Sequence, residues 1–172
     1  MIKVIFLDID GVLNHELFMR GISKYPRSKK EPRPLNMLDR GSIEILNSLI
    51  DATGAKVVVT SVWRKNHTQE ELQKLLEQKG FTGEIIGYTP QLGEGNLRGN
   101  EILKWIKTNE ALIGKSYDEY KEYVILDDDS DVLYWQKDNF LLIDRYCGIT
   151  PSTVFRATKI LKQIQTGVDL GI

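Results

Sequence analysis

The sequence predicts an α/β domain: a parallel five-stranded sheet between two helical layers, a three-layer α/β/α arrangement with no large second module. Three observations predict it. Short apolar runs of strand length alternate with stretches in which apolar residues recur at helical spacing. Such alternation marks strands joined by crossover helices, which cover a parallel sheet on both faces. The first, second and fourth apolar runs also end in polar clusters, and the carboxyl ends of parallel strands are where ligands bind.

The first strand runs from Ile2 to Leu7, broken only by Lys3, and ends in Asp8-Ile9-Asp10-Gly11. Residues two apart on an extended chain point the same way, so Asp8 and Asp10 lie close together. Gly11 permits a tight turn. Two carboxylates ~4 Å apart repel by about 1 kcal/mol in water and about 4 kcal/mol at an effective dielectric near 20. A cation, a shared proton or exposure has to offset that. Residues 14 to 35 are irregular, with Pro26, Pro32 and Pro34 opposing any long regular element. Loops of that length are usually lids or disordered.

Ile43, Leu46, Leu49 and Ile50 follow at helical spacing, and Gly54 stands where a C-terminal cap belongs. Lys56 to Thr60 is the second strand. Thr68 and Glu71 form a capping box for a helix carrying Leu72, Leu75 and Leu76, closed by Gly80. Glu84 to Tyr88 is a short third strand. Gly93 to Gly99 lacks the spacing of a dinucleotide-binding loop and reads as a flexible connection. Ile102, Trp105 and Ile106 mark an amphipathic helix, and Tyr117 to Glu122 is polar and ambiguous. Tyr123 to Leu126 is the fourth strand, ending in Asp127-Asp128-Asp129-Ser130-Asp131. A helical piece, Val132 to Trp135, leads to a fifth strand, Phe140 to Ile143. The last helix has Thr150 as cap and Pro151 in its first turn, with Val154, Ala157, Ile160, Leu161 and Ile164 on its apolar face.

The 172 residues fit a single domain with a short basic insertion at about residues 14–35. No apolar run approaches the ~20 residues of a membrane span. There is no basic n-region and no small-residue cleavage site, so no signal peptide is expected. Cys147 is the sole cysteine, which excludes an internal disulfide and fits a reducing, cytoplasmic setting. Net charge is −1, but residues 14 to 34 carry six basic and two acidic residues, leaving −5 on the remainder. A basic loop beside an acidic strand end is either a solvated, partly flexible surface loop or a device that steers anionic substrates toward that end.

Three strand ends thus carry chemistry: Asp8 and Asp10; Thr60-Ser61-Val62-Trp63-Arg64; and Asp127-Asp128. Arg98 opens a helix upstream of the fourth strand. In this order the set resembles the four motifs of the haloacid dehalogenase-like (HAD-like) phosphohydrolase superfamily, which has a Rossmann-like fold. The resemblance extends along the whole chain. The Thr-Ser-x-Trp-Arg form also resembles a subgroup of HAD domains associated with RNA repair.

The resemblance implies a Mg²⁺-dependent phosphatase. Asp8 would attack phosphorus to give an aspartyl phosphate, splitting one hard step into two. Asp10 would protonate the leaving oxygen and then deprotonate the hydrolytic water. Mg²⁺ suits an all-oxygen site with few protein ligands; these would be Asp8, the Asp10 backbone carbonyl, and Asp127 or Asp128. Ser61 would hydrogen-bond a phosphate oxygen. Thr60 competes for that role, and the spacing to Trp63 favours Ser61. Arg98 would stabilise charge on the transferring group where the superfamily often has Lys; Lys104 and Lys115 are less well placed. Arg64 either contacts substrate or hydrates its loop.

The superfamily's cap modules enclose small substrates, and the insertions here are short. An open site admits a phosphate on a large molecule, and the basic loop suits a nucleic acid end. The competing reading is a non-catalytic module of the same fold that binds a partner through that loop; the presence of both first-motif acids opposes it. Dehalogenases typically lack the second acid, so Asp10 points to phosphoryl chemistry. A receiver domain starting at Val124 is excluded, because 45 residues after Asp127 cannot complete one. His15 and His67 have no cysteine partners for zinc. Trp63, Trp105 and Trp135 read as packing or loop anchors, and Asp129 and Asp131 as caps or supporting groups.

Overall fold

A computed structural model describes residues 1–22, 35–113 and 122–162. Most of the basic insertion, including Lys24, Arg27, Lys29, Lys30 and Arg33, lies outside the described residues, as do Lys115 and Ile164. No helix among the described residues is long and apolar enough to cross a membrane.

Five strands form one wholly parallel sheet: β1 (Val4–Leu7), β2 (Lys56–Val59), β3 (Ile85–Tyr88), β4 (Tyr123–Asp127) and β5 (Phe140–Leu142). Their order is β3-β2-β1-β4-β5. The chain builds outward from β1 through β2 to β3, then returns to β1's other side with β4, so the connections diverge at β1. In open α/β sheets that switch point is where ligands bind.

The helices are α1 (Glu16–Met19), α2 (Arg40–Thr53), α3 (Gln69–Glu77), α4 (Arg98–Thr108), α5 (Glu110–Ile113) and α6 (Pro151–Lys162). Side-chain alternation assigns them to two layers. Ile5 and Leu7 of β1, with Val57, Val59, Val124 and Leu126, pack against the apolar faces of α2, α3 and α6. Val4 and Phe6, with Val58 and Ile125, face Ile102, Trp105 and Ile106 of α4 and Ile113 of α5. Every residue of β1 is fully buried, as expected for a parallel strand covered on both sides. The three-layer α/β/α expectation holds.

Local signals decide the ends. Gly54 adopts φ +68° and its N–H returns to Ile50 at the end of α2. Both arms of the Thr68–Glu71 capping box form at the start of α3. Several expectations need correction. Residues 14 to 22 are not wholly irregular, because Glu16–Met19 makes one helical turn with His15 as its cap. The helical piece after β4 is a 3₁₀ turn at Tyr134–Asn139 rather than Val132 to Trp135. Gly99 does not belong to a connection: it lies in the first turn of α4, where an added Cβ would sit 2.5 Å from the Leu133 nitrogen. A side chain there would push α4 away from the Leu133–Gln136 segment.

The register levels the strand ends. Leu7 pairs with both Val59 and Leu126. The ladder continues one step further, from Asp8 N–H to the Leu126 carbonyl and from Thr60 N–H to the Leu7 carbonyl, each 2.9 Å. Asp8, Thr60 and Asp127 therefore leave the sheet side by side.

Candidate active site

After Asp8 the chain turns tightly. The N–H groups of Val12, Leu13 and Asn14 all converge on the Ile9 carbonyl. Gly11 holds φ +78°, and an added Cβ would meet Asp128 Oδ2 at 2.3 Å. Glycine is required twice over, for the left-handed backbone and for the approach of Asp128. Asn14 locks the turn: its Oδ1 accepts from Gly11 N–H at 3.0 Å and its Nδ2 donates to Asp10 Oδ1 at 2.7 Å. The same Asp10 oxygen accepts the indole N–H of Trp63 at 3.0 Å.

Asp8, Asp127 and Asp128 come together, one carboxylate oxygen from each lying within 4.8 Å of the others. The Asp10 side chain is not in that trio. Asp8 and Asp127 are buried, and Asp128 is half-buried. Arg98 stands between the first two, with Nη1 3.7 Å from Asp8 Oδ1 and Nε 3.7 Å from Asp127 Oδ2. A hydrogen bond from Arg98 Nη1 to the Thr60 carbonyl fixes the guanidinium. Its backbone N–H donates to Asp131 Oδ2 at 2.9 Å, so Asp131 caps α4 from across the site.

Of the two hydroxyls after β2, that of Ser61 hydrogen-bonds Asp8, while Thr60 Oγ1 is buried with no hydrogen-bond partner among the described residues. The extended backbone explains this, because neighbours on a strand point to opposite sides. Arg64 is committed to the scaffold: Nη1 donates to the Ser61 carbonyl at 2.8 Å and Nη2 to Glu101 Oε2 at 2.6 Å. Breaking one side of so buried an ion pair typically costs about 3–5 kcal/mol. One edge of Arg64 still lines a cleft with Lys65 and Arg98.

Four residues of this site escaped sequence reasoning in these roles. Asn14 and Trp63 clamp Asp10, Glu101 pairs Arg64, and Arg145 grips Asp128 Oδ2 through Nε at 3.0 Å and Nη2 at 2.7 Å. Asn14, four residues beyond Asp10, had a usable signal, being an amide that closes a tight turn. The other three are brought in by the fold.

A family model described as the HAD domain in Swiss Army Knife RNA repair proteins matches residues 4–154. The chain belongs to this family. No curated protein and no solved structure matches it. The matched region of this HAD domain runs from the first residue of β1 into the first turn of α6, so it contains every site residue named above.

The electrostatics of the HAD site follow from burial. Burial raises Asp8 to about 6, against the lowering pull of Arg98 and the Ser61 hydroxyl, with Asp10 adding to the rise. Burial raises Asp127 to about 7, reinforced by Asp8 and opposed by Arg98 and the Asp129 N–H. Asp10 thus makes Asp8 harder to ionise, and Asp8 does the same to Asp127. Asp127 Oδ2 is buried and accepts no hydrogen bond among the described residues. With no hydrogen-bond donor and only the 3.7 Å approach of Arg98 Nε among the described residues, so buried a carboxylate oxygen is costly unless a further cation meets it. An all-oxygen trio with one such atom fits a hard divalent ion such as Mg²⁺.

Proposed function

We propose that this HAD domain is a Mg²⁺-dependent phosphomonoester hydrolase working through an aspartyl phosphate on Asp8. The observation that carries the reading is the placement of Asp8. It lies at the sheet's switch point with Asp127 and Asp128 on one side, and with Ser61 and Arg98 reaching its oxygens. Asp8, Asp127 and Asp128 would hold the ion, with the Asp10 carbonyl as a further oxygen donor. When bound, Mg²⁺ supplies the positive charge that lets an anionic phosphate approach an anionic nucleophile.

The protein's own residues divide the remaining work. An Asp8 oxygen forms a bond to phosphorus as the ester P–O bond breaks, and Asp10 gives its proton to the departing oxygen. Water then attacks the phosphorus of the acyl phosphate, its proton passes to Asp10, and the bond to Asp8 breaks to release inorganic phosphate. Arg98, pinned to the Thr60 carbonyl, is positioned to pair with the equatorial oxygens. Donors fixed in advance cost no reorganisation during the reaction. Ser61 is placed to hand its hydrogen bond from Asp8 to a phosphate oxygen.

The family's description supports a substrate related to nucleic acid repair, and the short insertions and the basic sequence at residues 14 to 34 suit a phosphate on a large polyanion. A phosphatase screen with and without Mg²⁺, run on wild type and Asp8→Asn, tests the chemistry. Wild type is expected to turn over phosphomonoesters with Mg²⁺, and Asp8→Asn to lose at least a thousandfold, on the order of the loss from removing a nucleophile. Equal turnover by the two proteins removes Asp8 as nucleophile. Hydrolysis of phosphorylated oligonucleotides no faster than small esters, and indifferent to salt, removes the nucleic-acid substrate.

A further inference from the structure

We infer that the cleft between α1 and the loop after β5 is the leaving-group subsite of this centre, and that it holds the nucleoside esterified to the scissile phosphate. The inference rests on the phosphatase reading and specifies what lies beyond the phosphorus.

Among the described residues, clefts adjoin both Arg98 and Asp128. One, of about 270 Å³, is lined by Arg98, Arg64 and Asp131 and does not include Asp10. The other, of about 380 Å³, is lined by Asp10 and Asp128 together with Gly11, Met19, Arg20 and Arg145. The phosphorus lies between nucleophile and leaving oxygen in an in-line displacement. The acid that protonates the leaving oxygen must come within hydrogen-bond reach of it. Asp10 has that role, so the departing group extends into the cleft that Asp10 lines.

The walls of that cleft define its occupant. A volume of about 380 Å³ is at the small end of the ~300–1,000 Å³ of small-molecule sites, enough for one nucleoside rather than a strand. Met19 and Gly11 supply apolar contact. Arg20 lines the cleft, and its guanidinium lies 5.1 Å from the centre of the Tyr146 ring, which flanks the lining residues; both side chains are exposed. Nucleobases stack on such aromatic and guanidinium planes.

Arg145 uses Nε and Nη2 on Asp128 while its side chain is 66% exposed, so its outer edge can meet the next phosphodiester. Glu16, on the same rim, accepts hydrogen bonds, which suits a ribose hydroxyl or a base amino group. The two walls are also joined. Glu16 N–H donates to the Arg145 carbonyl at 2.9 Å and Leu17 N–H to the Tyr146 carbonyl at 3.1 Å. The subsite is therefore built before the ligand arrives, which lowers the entropic cost of binding.

The test compares short oligonucleotides phosphorylated at the 3′ end, a second set phosphorylated at the 5′ end, and glycerol 2-phosphate, which has no base. Arg20→Gln and Tyr146→Leu, shown by circular dichroism to melt like wild type, should each lower the ratio of oligonucleotide to glycerol phosphate kcat/KM about tenfold. The loss should fall mainly in KM, and the end that shows it is the end recognised. A ratio within twofold of wild type for both ends overturns the subsite. Binding of fluorescent phosphorylated oligonucleotides to Asp8→Asn protein, read by anisotropy, separates this from failure of the chemistry. Weakening of about tenfold on adding Arg20→Gln supports the subsite even if no ester is hydrolysed, and unchanged binding overturns it even if esters are.

Discussion

Asp10 is oriented by two donors on one oxygen, Trp63 Nε1 at 3.0 Å and Asn14 Nδ2 at 2.7 Å, and two donors fix the plane of a carboxylate. Hydrogen bonds to charged groups contribute about 1.5–3 kcal/mol. Trp63→Phe keeps a buried ring but removes one donor, and should lower kcat toward alkyl phosphates about tenfold with little change in KM. Aryl phosphates, whose oxygens depart without help, should lose less. Equal losses for both ester types would mean that Trp63 only fills space. At this scale, legibility followed distance along the chain. Asp8 and Asp10 were readable because a strand places residues two apart on one side. Ser61 was favoured over Thr60 by its spacing to Trp63, two residues further on. Trp63 looked like a packing anchor, and it is fully buried. Its partner lies 53 residues earlier, which no local spacing encodes. Arg145 follows the fifth strand in an unremarkable polar stretch and becomes part of the site only because β5 lies beside β4.

Among the elements, α2 carries the helical wall that the sequence marked most plainly, and its start is held by a group that went unremarked. Asp39 Oδ1 accepts from Gly41 N–H at 3.2 Å, and Oδ2 accepts from Ser42 N–H at 3.0 Å and from the Ser42 hydroxyl at 2.9 Å. His15 Nε2 is 3.4 Å away, tying α1 to α2. Burial alone would raise the Asp39 pKa, but the Ser42 hydroxyl, the two N–H groups and His15 outweigh it and hold the carboxyl below its ordinary 3.8. A depressed carboxylate stabilises the fold above its unfolded pKa, and that contribution disappears as pH falls through the folded value. Asp39→Ala should therefore cost about 1 kcal/mol near pH 7. In urea titrations its gap from wild type should close below pH 3.8. A gap that persists undiminished to pH 2 would assign the loss to packing rather than to the cap. Caps of the Thr68–Glu71 kind were legible because both halves lie within four residues. The single turn of α1 and the short α5 were not, since four residues carry no periodicity. Asp131 escaped as the α4 cap because it lies 33 residues after the N–H that it accepts.

The order β3-β2-β1-β4-β5 could not be read from strand and helix alternation, because parallel pairing joins residues dozens apart. That order brings the ends of β1 and β4 together, and with them two buried acids whose charges oppose each other. Burial first, with repulsion by Asp10 on Asp8 and by Asp8 on Asp127, raises Asp8 to about 6 and Asp127 to about 7. In the unfolded chain the same groups ionise near 3.8. Between about pH 4 and pH 7 the folded state therefore binds more protons than the unfolded one, and stability falls as pH rises. Without divalent ions, wild-type Tm should drop across that window and then level off. Asp127→Asn, which keeps the shape and removes one charge, should flatten the drop. On the proposed function, Mg²⁺ would compete with those protons for the same oxygens and bind the folded state preferentially, so it should raise Tm more at pH 8 than at pH 5. Asp127→Asn should lose most of that gain. A Mg²⁺ shift equal at the two pH values, or unchanged by Asp127→Asn, would place the ion elsewhere on the molecule. The same whole-molecule balance gives a reason for acids at a buried switch point: the fold loses stability there as pH rises, and the loss is largest where a bound cation would offset it most.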